Sequence, residues 1–459
     1  MAVVQKRECK IEVASIPRLI TYMWQTDADL QLFGIKHLRQ ILYLEPCPVE
    51  EIISSEIVPR FVEFLHLNDH QELQFEAVSC FAIISSERPK VIDLYNILPV
   101  LVSLVSSPCA KISNEAIYTL GNVAGNHLNW NCSGAFDAVV ARLNALLGQE
   151  EPFMLKVCSW TLANFCKGVL TSDQRAEAIT IFKQLLNEQD YVVVTFACWA
   201  VSDISNGQVH SLIENGIGSQ LADLLKNNYR NYTPSVLIPM LLTLLNILKE
   251  DDSEFLTSPK IMSDILMYVL SRNNHKGLHN IIYKIISDLA VTSEILIQCM
   301  LDSKIIDALL YYLDLVAERN TEAWNAAKVP KKVFVIRVDD IKEGEDDETD
   351  EAALALAHLI SNVRFDLVRE LVERGCIKQL CYLLSKKNPR QHPGVVAACL
   401  DGILNMLNVA KSFDKSFVIE AFEDDDYSSS IMDLAMEECN CVIVEGITTK
   451  ATTIFNMLP

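Results

Sequence analysis

The sequence predicts an all-α protein built as a solenoid of repeated helical units, and three observations support this fold class. A short apolar segment recurs along the chain, usually with a polar residue at its fifth position. An apolar helical pattern separates the copies, and glycine and proline number only 15 each among 459 residues. Such a length suggests about three compact domains or a stack of units, each of which buries its apolar face against its neighbours.

The recurring segments set the period of the repeat. Their first positions are separated by 39, 42, 39, 43, 41, 71 and 47 residues. Apart from the step of 71, these spacings match the period of about 40–47 residues that armadillo and HEAT units have. The segments begin at Ser79, Tyr118, Trp160, Trp199, Leu242, Tyr283, Leu354 and Asp401.

A second pattern lies between these segments and has the 3.6-residue periodicity of an amphipathic helix. Examples occur at 58–65, 98–104, 216–225 and 375–384, so each unit contains at least two packed helices. An earlier copy is expected from Ile16 to about Leu44, and a degenerate last copy over roughly 430–459. We therefore expect residues 1–15 to be an N-terminal tail and residues 16–459 to form an armadillo-type superhelical solenoid of about ten units.

The step of 71 residues contains an insertion at about 318–351. It carries Lys328-Val-Pro-Lys-Lys332, followed by an acidic run at Glu343–Glu351. Because such a run cannot bury enough apolar surface to fold alone, we expect an acidic loop that leaves one turn of the solenoid. A second acidic cluster, Glu423–Asp426, predicts another loop near the C-terminus.

The formal net charge of −21 limits the partners of the chain. A surface with this much negative charge repels nucleic acid and anionic membranes and suits a basic partner, although the charge can also serve solubility alone.

The 14 cysteines show no repeated metal-ligand spacing, which favours a reducing compartment. With no signal-peptide core and no uncharged apolar window of about 18 residues, the sequence indicates a cytosolic or nuclear protein.

Two pairs of residues in successive units carry the functional hypothesis. Trp160 and Asn164 are four residues apart on one helix, as are Trp199 and Asp203, so each pair shares a helix face. Asparagine can both donate to and accept from a peptide backbone, while tryptophan rings hold the stems and attract the heads of basic side chains. Asp203 adds a carboxylate. The alternative for either tryptophan is ordinary core packing.

The segments around these pairs resemble the importin alpha family. The resemblance extends from about residue 16 to the end, is specific for the central units and is weak after about residue 250. It implies a right-handed armadillo superhelix whose concave groove binds basic nuclear-localisation peptides, in a nuclear import adaptor present in cytoplasm and nucleus. The segments that carry it are 57–65, 74–77, 120–125, 160–168 and 198–207.

The resemblance also implies which residues contact the peptide at the main site. The tryptophan–asparagine pair of the second repeat falls on Ser79 and Ile83 and is lost, the third falls on Tyr118 and Asn122, and the fourth is intact. The lysine pocket of the family falls near Glu87, Ile92 and Asn126, where its usual residues are replaced, and Glu115 is expected to supply charge instead. The predicted peptide-binding residues are Glu115, Tyr118, Asn122, Trp160, Asn164, Trp199, Asp203 and Asn246.

The secondary peptide site of the family has decayed in this sequence. Its slots fall on Tyr283 with Ser287 and on Leu354 with His358, which are poor clamps. The sixth-repeat slot keeps Asn246, but Leu242 replaces its aromatic partner. We expect Leu242 and Leu354 to serve as core residues.

By resemblance alone, importin beta and an export receptor are candidate partners. The family begins with a basic segment that binds importin beta and folds back on the groove, and Lys6 and Arg7 do not amount to one. Either the sequence is a piece of a longer chain or it is a divergent relative. We expect an open groove and no gain in cargo affinity from importin beta, with Lys328–Lys332 as the one internal candidate for a competing segment.

No motif for a nucleophile, a nucleotide or a metal occurs, so we expect no catalytic residue, cofactor or metal and do not expect an enzyme. Two alternatives to the import adaptor stay open. One is an acidic armadillo scaffold of the beta-catenin type, without a transport role. The other is a degenerate paralogue that serves one specialised cargo.

Overall fold

The computed structural model confirms the all-α fold class. The described residues form 25 α-helices and one short 3-10 turn at Tyr229–Asn231, and no strand occurs among them. The chain divides into two compact units, Met1–Ile217 and Gly218–Pro459, each of which is described by itself. The residues described are 14–126, 133–147, 149, 151–250, 259–271, 278–292, 294–320, 346–363, 365–410, 418–419, 422, 428–436 and 442–458.

Unit 1 contains the first thirteen described helices. They are α1 (Ile16–Met23), α2 (Ala28–Leu42), α3 (Val49–Ser54), α4 (Val58–Leu65), α5 (Gln71–Glu87), α6 (Lys90–Leu94), α7 (Leu98–Leu104), α8 (Ala110–Asn126), α9 (Ser133–Leu146), α10 (Pro152–Cys166), α11 (Ser172–Leu185), α12 (Tyr191–Ser205) and α13 (Val209–Glu214).

Unit 2 contains the other twelve described helices, beginning with one whose first residue lies at the boundary. Its helices are α14 (Ile217–Asn228), α15 (Pro234–Glu250), α16 (Pro259–Ser271), α17 (Leu278–Thr292), α18 (Glu294–Asp302), α19 (Ile305–Asn320), α20 (Asp346–Ser361), α21 (Phe365–Glu373), α22 (Cys376–Lys386), α23 (Pro393–Ala410), α24 (Ser428–Ala435) and α25 (Val442–Phe455).

Within each unit, one helix of each repeat packs directly on its counterpart in the next repeat. We call the remaining helices the outer helices and these the ladder helices. In unit 1 they are α2, α5, α8, α10 and α12, and in unit 2 they are α15, α17, α20, α23 and α25. Among the described residues the ladder helices number ten, as the predicted repeats do. Each contains the recurring segment of its repeat or, in the first and last repeats, the equivalent positions. The predicted first and last copies are α1–α2 and α24–α25.

Local sequence signals fix where several helices begin. The Asp27 carboxylate accepts from the backbone amides of Asp29 and Leu30 at the start of α2, and Asp190 accepts from Val192 at the start of α12. Thr171 and Gln174 form a capping box at the start of α11. Each of these side chains satisfies backbone donors that the first helical turn leaves without a partner.

A left-handed residue separates the two outer helices in five repeats. Gly216 and Gly375 have φ of 70° and 83°, and they come directly before α14 and α22. Glycine adopts this conformation without a steric penalty, which explains why the sequence pattern opens with glycine at both places. The same turn uses other residues in the remaining three repeats, at Glu56, Asn96 and Lys304.

Aromatic side chains join the outer helices of unit 1 to its ladder helices. The rings of Phe61 on α4 and Phe81 on α5 meet edge to face with centroids 6.1 Å apart, and both side chains are fully buried. Phe136 on α9 and Phe165 on α10 make the same arrangement at 5.9 Å. These two pairs hold α5 and α10 against the outer helices of their own repeats.

Helix α23 of unit 2 connects the ladder helices on either side of it. By length and composition α23 could cross a membrane, but 56% of it is buried among the other helices, as is usual for a core helix. It carries Asp401, which pairs with Lys450 of α25 at 2.7 Å. Asn405 Nδ2 donates to the carbonyls of Ile360 and Val363 at 2.9 and 3.2 Å, joining α23 to the end of α20.

The insertion differs from the prediction at both edges. Helix α19 continues to Asn320 and α20 already begins at Asp346, so the end of the acidic run is helical rather than a loop. Acidic residues favour the first turn of a helix because they complement its dipole, which accounts for the early start of α20. The basic segment Lys328–Lys332 and residues 423–426 lie outside the described residues.

Candidate functional site

Three adjacent ladder helices of unit 1 bring together seven of the eight predicted site residues. Helix α8 carries Glu115, Tyr118 and Asn122, α10 carries Trp160 and Asn164, and α12 carries Trp199 and Asp203. Asn246 lies half-buried on α15 in unit 2 and is not part of this group. We use the name ladder face for the surface formed by Glu115, Tyr118, Trp160, Trp199 and Asp203.

Aromatic rings form the centre of the ladder face. Tyr118 and Trp160 stack with their centroids 5.0 Å apart and their planes 20° from parallel. Tyr118 is 41% exposed and Trp199 is 37% exposed, while Trp160 is half-buried. Core packing, the alternative for either tryptophan, therefore does not describe Trp199, whereas Trp160 packs partly against its neighbours. The exposed rings of Tyr118 and Trp199 can accept a cation or the stem of a basic side chain.

The position of Trp160 depends on Gly121 of the preceding ladder helix. A Cβ atom at Gly121 would lie 2.3 Å from Cζ3 of Trp160 and 2.7 Å from Oγ1 of Thr161. This role of Gly121 was not predicted from the sequence. The pair Gly121 and Gly125 inside one helix could have indicated it, since glycine within a helix often marks a close approach by another element.

The two asparagine amides bridge successive ladder helices. Asn122 Nδ2 donates to the Ala82 carbonyl at 3.0 Å and to Ser85 Oγ at 3.1 Å. Asn164 Nδ2 donates to the Gly121 carbonyl at 3.2 Å. Only 7% of Asn122 and 5% of Asn164 are exposed. The backbone that satisfies these donors thus belongs to the neighbouring repeat, which leaves little of either side chain for a peptide.

Two carboxyl groups border the aromatic rings and are half-buried. Burial raises the pKa of Glu115, with Arg39 opposing the rise and Glu76 adding to it. Burial likewise raises the pKa of Asp203, and the nearby ammonium of Lys167 opposes this rise. Both groups disfavour ionisation without a further cation, so a basic ligand beside them would favour their charged forms.

An internal cation already lies at the ladder face. Lys167 Nζ donates to Asn164 Oδ1 at 2.9 Å and is close enough to Asp203 to affect its ionisation. The Lys167 side chain itself is exposed. A basic peptide at Asp203 would have to share the carboxylate with Lys167 or displace it.

The surface of α5 differs from that of the ladder helices after it, because the tryptophan–asparagine pair is replaced there. Ser79 is buried and Ile83 is half-buried, so α5 presents neither a ring nor an amide at these positions. A cavity of about 440 Å³ lies beside Ile83, between α5, α8 and α10. It is lined by Tyr43, Ala82, Ile83, Ser86, Asn114, Glu115, Tyr118, Phe153 and Val157.

In the slots of the secondary site, contacts within unit 2 occupy Tyr283, Ser287 and His358. Tyr283 is only 2% exposed and its ring lies 5.5 Å from that of Tyr312. Ser287 Oγ is hydrogen-bonded to His358 Nδ1 at 2.6 Å, which joins α17 to α20. Leu242 and Leu354 are half-buried rather than core residues, which corrects the expectation for both.

Among the described residues, no group of three or more His, Cys, Asp or Glu side chains could hold a metal.

Known proteins similar to this chain include several importin alpha subunits. Importin subunit alpha-1b of Oryza sativa subsp. japonica is 30% identical over 416 residues, which cover 87% of this chain and 70% of the relative. Importin subunit alpha-4 of Arabidopsis thaliana is 31% identical over 422 residues, covering 90% and 71%. Importin subunit alpha-8 of the same plant is 26% identical over 402 residues, covering 86% and 82%. No family model matches the chain.

The fold is also similar to that of a solved structure. The crystal structure of an engineered protein matches with a TM-score of 0.70, covering 96% of this chain and 99% of that one. The two sequences are 19% identical, so the likeness concerns the fold alone.

We predict that Gly121→Ala lowers the free energy of unfolding by about 1–3 kcal/mol, the usual cost of overpacking. The added methyl group would collide with the rigid Trp160 ring, and this outweighs the gain of about 0.5–1 kcal/mol from removing a helical glycine. Chemical denaturation followed by circular dichroism measures the change. Gly134→Ala is the matched control, because a Cβ there meets nothing within 4 Å. Equal stability of the two variants would contradict the account.

Proposed function

This chain belongs to the importin alpha family, and from that membership we propose that it is a nuclear import adaptor whose ladder face binds basic nuclear-localisation peptides. The stacked Tyr118 and Trp160 rings carry the proposal, together with the exposed Trp199 ring on the next ladder helix. The half-buried carboxyl groups of Glu115 and Asp203 add to it. Cargo proteins with such peptides are the proposed partners, and importin beta and an export receptor are further candidates. The protein then acts in cytoplasm and nucleus and performs no catalysis.

Binding relies on ring faces and carboxylates more than on backbone clamps. The amides of Asn122 and Asn164 already donate to the neighbouring repeat, so each offers a peptide only a small exposed edge. Cation–π contact with Trp199 and Trp160 contributes about 0.5–2 kcal/mol per ring. Long-range attraction between the acidic chain and a basic peptide adds to the rate of association.

A specific observation favours the scaffold as a second candidate. Lys167 already donates to Asn164 and lies near Asp203, which reduces the net negative potential that a basic peptide would meet. A scaffold without a transport role would bind a different, less basic partner along the same repeats. Two results together would favour the scaffold. No basic peptide would bind the protein, and a partner recovered in a pull-down would not be displaced by such peptides.

The first prediction for binding concerns the two tryptophans. Changing Trp160 and Trp199 together to Ala should weaken binding of a basic peptide by about 1–4 kcal/mol, since two ring faces are lost. Fluorescence anisotropy of a labelled peptide measures the affinity, which should also fall with added salt.

The control for this experiment is Trp24→Ala. Trp24 is an exposed tryptophan of unit 1 that lies after α1 and away from the ladder face. Circular dichroism must show that each variant keeps its helical content, because Trp160 also packs on Gly121. If the double variant binds as tightly as the parent protein, the ladder face is not the peptide site.

The second prediction concerns pH. Because burial raises the pKa of Glu115 and of Asp203, both take up protons at a higher pH than ordinary carboxyl groups do. A bound cation favours their charged forms, so binding releases protons and the affinity for a basic peptide falls as the pH is lowered from 7 toward 5. Peptide titrations at several pH values measure this dependence.

A variant with Glu115→Gln and Asp203→Asn should bind more weakly at pH 7 and show a flatter pH profile. Glu177→Gln is the matched control, since Glu177 is exposed on the outer helix α11. If the affinity of the parent protein stays constant with pH, neither carboxyl group belongs to the binding site.

A further inference from the structure

The cavity beside Ile83 differs in chemistry from the rest of the ladder face. Its walls are mainly apolar or aromatic, with Ile83 from α5, Tyr118 from α8, and Phe153 and Val157 from α10. Phe153 is 67% exposed, so a ligand in the cavity would remove apolar surface from water. Glu115 lines the same cavity and supplies a carboxyl group.

The cavity is explained by the residues of α5. One repeat further on, the Trp160 ring stacks on Tyr118 from the α10 side. On the α5 side, the position equivalent to Trp160 is Ser79, which is too small and too buried to contribute to the lining. The ring that would cover this side of Tyr118 is therefore absent, and the space it leaves is open to a ligand.

The position of Ile83 also changes how a peptide could be held there. Its counterparts on α8 and α10 are Asn122 and Asn164, whereas the isoleucine side chain has no hydrogen-bonding atom. A peptide residue over Ile83 thus gains nothing from a side-chain amide. At Ile83 the walls supply burial of apolar surface, while Ser86, Asn114 and Glu115 supply the polar groups of the same lining.

We propose that this cavity binds a bulky apolar side chain of the peptide, located two residues from a lysine or arginine. Residues i and i+2 of an extended peptide point to the same side, so the apolar side chain and the basic one enter together. The apolar side chain contacts Ile83, Phe153 and Val157, while the basic one meets Glu115. The inference rests on the proposed function, and it adds an apolar requirement to the basic one.

Size and charge agree with this occupant. A volume of about 440 Å³ lies within the range of about 300–1,000 Å³ for ligand pockets, which leaves room for more than one side chain. A purely apolar ligand would leave half-buried Glu115 with Arg39 as its nearby cation, and Arg39 is already paired with Glu76 at 2.5 Å. A basic side chain beside Glu115 adds a cation that favours its charged form. An apolar residue beside a basic one satisfies both parts of the lining.

The test compares three labelled peptides with the same lysine-rich cluster. One has Leu two residues before the cluster, one has Leu two residues after it, and one has Ser at both positions. One of the Leu peptides should bind the parent protein about ten- to a hundredfold more tightly than the Ser peptide, the range expected for burying one such side chain. Fluorescence anisotropy at constant salt and pH gives the three dissociation constants.

Two variants connect the preference to the cavity. Phe153→Ser and Val157→Ser should remove most of the preference for Leu and leave the affinity for the Ser peptide nearly unchanged. Val169→Ser is the matched control, because Val169 is 74% exposed and does not line the cavity. Circular dichroism verifies that all three variants are folded.

The outcomes separate this inference from the proposed function. Equal affinity for all three peptides, or a Leu preference that survives both cavity variants, overturns the inference and leaves basic-peptide binding intact. If none of the peptides binds the parent protein, the proposed function fails and the inference fails with it.

Discussion

The ladder helices of each unit lie side by side, and this close contact is the constraint on which the rest of the structure depends. Polar side chains donate across it: Asn164 to the carbonyl of Gly121, and Asn405 to the carbonyls at the end of α20. Small residues allow the helices to approach, as Gly121 does beneath Trp160. Each repeat thus gains hydrogen bonds as well as buried apolar surface from its neighbour, which is how a solenoid becomes stable without one central core.

The same contact determines what the ladder face can offer a ligand. Asparagine amides that hold the repeats together are largely withdrawn from solvent, while the rings of Tyr118 and Trp199 remain accessible. Glu115 and Asp203 are half-buried beside those rings, in positions where a cation would favour their ionised forms. The surface therefore suits lysine and arginine side chains, whose apolar stems and charged heads need both kinds of contact.

Periodicity made the fold predictable from sequence, because stacked repeats must place apolar residues at regular intervals. The pairing of Trp160 with Asn164 was equally predictable, since residues four apart share a helix face. The hydrogen-bond partner of Asn164 was not predictable from sequence. A side-chain amide can bond equally well to the backbone of a neighbouring helix and to the backbone of a bound peptide. The cavity beside Ile83 depends on which side of Tyr118 a ring covers, and spacing within one helix carries no information on that.

Photo-cross-linking tests most directly whether the ladder face of unit 1 is the peptide site. A lysine-rich peptide with a photoreactive group at alternate positions is bound to the complete chain, irradiated and mapped by mass spectrometry. We expect adducts on the exposed side chains of α8, α10 and α12, around Tyr118 and Trp199, and their loss when an unlabelled basic peptide competes. Adducts confined to the outer helices or to unit 2, or labelling that the competitor does not reduce, would contradict this assignment.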